Sequence, residues 1–118
     1  MFSLFKKASW EEQRMTSRSI LELSDLWYKK GYQSFYMKLH MHHIDEGNRP
    51  AATAAFEKKQ AIESFLTTAL RACNDSSFSN KKVQEMAFVR ASTILNSLAQ
   101  IKIWANENDL PFKHLIKE

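Results

Sequence analysis

Apolar residues recur at helical spacing along most of this chain, and the pattern is most continuous between Ser79 and Asn108. There Val83, Ala87, Ala91, Ile94, Leu98, Ile101 and Ala105 fall on one face at about 100° per residue. Met86 and Trp104 flank that stripe, and Ser79 or Asn80 can cap its start. The opposite face is unusual. Phe88, Val89, Ser92, Asn96, Ala99 and Ile103 lie on it without a charge, and Arg90 is the only charged residue between Glu85 and Lys102. A surface helix normally carries charge on its outer side. The expectation is therefore a helix in the middle of the domain or, failing that, one whose back meets another chain. Arg90, close to the apolar stripe, is expected to pack its stem there and send its head to solvent or to a carboxylate.

An S-x-x-E capping box, Ser9 and Glu12, opens the first helix. Met15, Ile20, Leu23, Leu26 and Trp27 share a face. The apolar side then moves: Leu21, Tyr28, Tyr32, Phe35 and Leu39 line up opposite Leu23, while Met37, Met41 and Ile44 continue the first side. Gly31 stands at the changeover. Glycine costs a helix interior about 1 kcal/mol relative to alanine, so a bend or break is expected there. An unbroken helix with two apolar faces would need two partners.

Glu46-Gly47-Asn48-Arg49-Pro50 reads as a turn, with Gly47 suited to end one helix and Asn48 to cap the next. Residues 51–73 follow as a helix with the stripe Ala51, Ala55, Ile62, Leu66, Ala69 and Cys73. A polar turn, Asn74 to Ser77, leads to the long helix. Pro111 stops it, and Leu110, Phe112, Leu115 and Ile116 form an apolar tail expected to fold back. These signals predict an all-α bundle of three long helices, the first broken near Gly31 if it is not continuous. The reading treats 1–118 as one domain with an N-terminal tail, 1–8, and a C-terminal tail, 109–118. Phe2, Leu4 and Phe5 in the first tail are expected to dock or fray.

Composition narrows the class. The chain has 118 residues, 44% hydrophobic and 25% charged, so it can bury a core without staples. Only two glycines and two prolines argue against a β protein. A single cysteine, Cys73, allows no internal disulfide and suits a reducing compartment. MFSLFKK lacks the order of a secretory signal, and no run reaches the ~20 apolar residues of a membrane span. A cytoplasmic location is the resulting expectation. Net charge is +4, mildly basic, which permits an acidic or nucleic-acid partner without requiring one.

Candidate chemistry is sparse. His40, His42 and His43 cluster near Asp45 and Glu46, but no helical face collects three ligands, so neither a metal nor another cofactor is expected. No nucleophile elbow and no glycine-rich phosphate loop is present. The chain therefore reads as a non-enzymatic protein-interaction module: an adaptor, chaperone, inhibitor or regulatory protein, expected to be a homodimer. Its partner surface is placed on Tyr28, Tyr32, Phe35, Tyr36 and Leu39. The alternative is a nucleic-acid-binding accessory protein using Lys29, Lys30, Lys58, Lys59, Lys81 and Lys82, with aromatics interleaved around Lys29 and Lys30.

Overall fold

A computed structural model describes residues 7–74 and 80–117. These form four α-helices: α1 (Trp10–Tyr28), α2 (Tyr32–Asp45), α3 (Arg49–Asn74) and α4 (Lys81–Glu107). A 3-10 turn, Lys113–Leu115, lies in the C-terminal tail. The count of three is thus corrected to four, because the first helix breaks at Gly31. The expected docking of Phe2, Leu4 and Phe5, the cap at Ser79 and most of the 74–77 turn lie outside the described residues.

The local signals act where they stand. The Ser9 hydroxyl accepts from the Glu12 amide at 3.1 Å, and the Glu12 carboxylate accepts from the Ser9 amide at 3.2 Å. Asn48 accepts from the Ala51 amide at 3.2 Å, and Asn80 accepts from the amides of Lys82 and Val83. Each cap satisfies N–H groups that a helix start leaves without a partner.

α2 and α3 form an antiparallel hairpin turned at Gly47, and α3 continues past α2 along α1. α4 starts beside the start of α1, where Lys7 bridges Asn80 and Lys81 lies 3.8 Å from Glu12, and the two helices pack in parallel. The result is three rods, the first of them bent. The molecule measures 56 × 28 × 22 Å, and its radius of gyration of 16.5 Å exceeds the ~13.5 Å of a compact chain this long.

The break rotates the apolar face. In α1 the buried residues are Thr16, Ile20, Leu23 and Trp27; in α2 they are Tyr32, Phe35, Tyr36 and Leu39. Leu21, Tyr28, Met37, Met41 and Ile44 are left exposed. A continuous helix would have kept Leu21 and Tyr28 in line with Tyr32. Instead Gly31, at φ 90°, enters the left-handed region and restarts the helix at a new angle. The tail fixes that geometry. The Lys117 amide donates to the Lys30 carbonyl at 2.8 Å, and a β-carbon at Gly31 would lie 1.8 Å from the Leu115 carbonyl oxygen. Leu110, Phe112 and Ile116 are buried, with Phe112 5.2 Å from Phe35 between ring centres.

The two glycines therefore respond differently to the same change. Gly47→Ala, at φ 75° with open space around it, is expected to cost about 1–2 kcal/mol for the left-handed conformation alone. Gly31→Ala adds a backbone collision and is expected to cost upwards of about 3 kcal/mol. Urea denaturation of both variants measures the difference.

Candidate protein-binding surface

The surface assigned from sequence is spent on the chain's own core. Tyr32, Phe35, Tyr36 and Leu39 are all buried, and only Tyr28 is exposed. Tyr36 packs 5.5 Å from Trp27 and meets Phe35 edge-on at 6.1 Å. These residues are spare only in a straight helix. With the bend, they face α3 and the tail.

Beside them lies a polar junction that the sequence did not disclose. Glu63 on α3 accepts from Trp27 Nε1 at 3.3 Å, from the Gln33 side-chain amide, and from Lys59 Nζ at 2.9 Å. It thereby ties α1 and α2 to α3 at the level of the break. Burial raises its pKa, but the hydrogen bonds from Lys59, Gln33 and Trp27 outweigh that and hold it below its ordinary value. A carboxylate engaged by three donors serves as a brace rather than as a general base. A second junction joins Tyr36, Ser97 and Lys58, from α2, α4 and α3.

The histidines are divided among structural contacts. His40 Nδ1 lies 2.8 Å from the Ala52 carbonyl, and its ring sits 5.2 Å from Phe56 across the hairpin. His42 lies against Phe112 and 3.1 Å from Glu46. Among the described residues no group of three or more His, Cys, Asp or Glu is arranged to hold a metal ion. Cys73 is half-buried against the core.

The paired lysines do not line one helix face. Lys59 is held by Glu63 and Lys81 faces Glu12, while Lys29 lies 4.0 Å from Asp25. Lys58 reaches to Ser97 on α4. Lys30 uses its carbonyl to anchor the tail, and Lys82 is exposed in the first turn of α4.

Apolar surface remains in two adjoining places. The first is the outer side of α4. Its inner face, Ala91, Ile94, Leu98 and Ala105, is buried as the spacing predicts, with Gln84 in place of Val83 at the start. Its outer face is open to solvent: Met86 is 64% exposed, Val89 62% and Ile103 58%. The expectation of a helix buried in the middle of the domain is corrected here. Three rods give α4 neighbours on one side only. The second place is a groove of about 340 Å³ between α3 and α4, lined by Phe65, Ala69 and Ala72 on one side and Val83, Met86 and Ala87 on the other. Arg90 stands at its rim with its guanidinium 5.9 Å above the Phe65 ring, so its head meets an aromatic face where solvent or a carboxylate is expected.

No protein-family model, no curated protein and no solved structure matches this chain. No helix among the described residues is long and apolar enough to cross a membrane.

The buried tyrosine gives a pH signature. Burial raises the Tyr36 hydroxyl from 10.0 to about 12; the Ser97 hydrogen bond opposes the rise and Tyr32 adds to it. The folded pKa lies above the unfolded one, so this contribution to stability is complete below pH 10 and is lost as pH climbs toward 12. Tyr36→Phe is expected to lose less stability than the native chain between about pH 9 and pH 11.5. Urea midpoints at the two values test this.

Proposed function

We propose that this chain is a non-enzymatic helical module that binds protein through the outer face of α4 and the groove beside it. The observation that supports this reading is the exposure of Met86, Val89 and Ile103 along one helix side. From Met86 to Ile103 that side carries no charged residue in its central row, which runs Met86, Val89, Thr93, Asn96, Gln100 and Ile103. Isolated apolar side chains on a surface need no explanation, but an uncharged row whose first member, Met86, also lines an apolar groove marks an interaction site. A row at this spacing suits a facing helix, which would set its own side chains between successive turns.

The remaining features agree. The strongest polar contacts, at Glu63 and Ser97, brace the helices internally, and Tyr32 and Tyr36 are buried beyond reach of a substrate. The nucleic-acid alternative draws on Lys29, Lys58 and Lys82, which are exposed. It has less geometric support, since Lys59 and Lys81 are engaged by carboxylates.

A photo-crosslinking amino acid at position 89, compared with one at the exposed position 57 on α3, tests the module in its native cell. Discrete protein adducts at 89 and none at 57 are expected. Nucleic-acid adducts at 89, or equal labelling at both positions, would overturn the reading. Val89→Glu, at an exposed position, is expected to abolish the adducts formed from Ile103 while changing stability by no more than about 0.5 kcal/mol. Circular dichroism during heating checks that the fold is kept.

A further inference from the structure

Resting on the binding surface proposed above, we infer that the occupant is a second copy of this chain, its α4 lying antiparallel along the first. The outer row of α4 alternates steps of three and four residues: Met86, Val89, Thr93, Asn96, Gln100, Ile103. That is the spacing of a two-stranded coiled-coil seam, here apolar at its two ends and polar at Thr93, Asn96 and Gln100. The row opposite, containing Ala91, Leu98 and Ala105, is the one that faces the chain's own core, so the seam points directly outward.

The seam is self-complementary under a two-fold axis passing between residues 94 and 95. In that register Met86 meets Ile103 of the second copy, Val89 meets Gln100, and Thr93 meets Asn96. The two largest apolar residues of the row therefore face each other at both ends. Thr93 already donates its hydroxyl to the Val89 carbonyl at 2.9 Å, which leaves its methyl group for the contact. Thr93 and Asn96 flank the axis equally, and their two polar pairs there fix register at some cost in stability.

Charge selects the direction. Lys82 and Glu107 are exposed one step beyond the two ends of the row. Each sits at the wrong end of its own helix: α4 has no acidic residue in its first turn and no basic residue in its last. A lysine at the positive end and a glutamate at the negative end are unfavourable within one helix. In the antiparallel pair Lys82 of each copy meets Glu107 of the other, and the two helix dipoles oppose. In a parallel pair lysine would face lysine and glutamate would face glutamate.

The groove contributes as well. Trp104, 37% exposed, lies on the flank of the row. The same register sets it beside Val83 of the second copy, at the lip of the groove between α3 and α4. One helix face falls short of the ~800 Å² per partner of a standard interface, and a tryptophan seated at that groove enlarges it. A dimer of micromolar affinity is expected.

Disulfide trapping in the Cys73→Ser background tests the register with the whole chain. Val89→Cys and Gln100→Cys proteins are oxidised separately and as a mixture. A cross-link in the mixture well above either protein alone is expected. A Val89→Cys cross-link to itself would show parallel pairing and overturn the proposal. A monomer of 13.8 kDa by light scattering throughout the concentrations that exceed 100 μM would also overturn it. Lys82→Glu is expected to weaken the dimer about tenfold, and adding Glu107→Lys to restore it. Loss in the single variant without restoration in the double would exclude this charge pairing. Failure here with heterologous protein adducts at position 89 would leave the module reading intact, whereas absence of any adduct would remove both.

Discussion

The carbonyl of Leu115 rests against Gly31, where no side chain can stand, and the arrangement of the helices depends on that approach. It allows the first rod to change direction without a long loop. It also turns Tyr32, Phe35 and Tyr36 inward, so that the aromatic part of the core assembles at the bend. Glu63 acts at the same level from α3 and holds Trp27 and Gln33, one from each half of the bent rod. Backbone contact from the tail and a braced carboxylate from α3 make the bend a fixed element of the fold.

Much of this was legible along the chain wherever the cause was local. The capping box at Ser9 and Glu12, the turn at Gly47 and Asn48, and the cap at Asn80 each depend on side chains within three residues. They are found where the sequence places them. The all-helical class follows from the same kind of signal. The break at Gly31 could be suspected but not decided, because its cause lies far along the chain at Leu115 and Lys117. The misplaced partner surface follows from that one point. If the helix is straight, Tyr32 and Leu39 share a side with Leu21 and look spare; if it bends, they are core.

The outer side of α4 departs from expectation for a different reason. Its lack of charge was plain, and burial is the ordinary explanation of such a face. Whether burial happens within one chain depends on how many neighbours the helix has, and that number is set by tertiary arrangement. The row itself is harder to notice, since three of its six positions are Thr93, Asn96 and Gln100 rather than aliphatic residues. Glu63 gave no signal at all: one glutamate among the charged residues of α3 looks like any other until its three donors converge on it.

The packing of residues 110–117 against the bend also has a bearing on the order of events during synthesis. The hairpin of α2 and α3 joins neighbours in sequence and can form as soon as both have emerged from the ribosome. The bend cannot settle so early, because Phe112, Leu115 and Lys117 are translated long after Gly31. Until they arrive, the ring of Phe35 lacks its neighbour and the first rod has no fixed angle. Between the emergence of Phe35 and that of Phe112 the nascent chain therefore carries open aromatic surface, which makes that interval the period in which a chaperone would find something to hold.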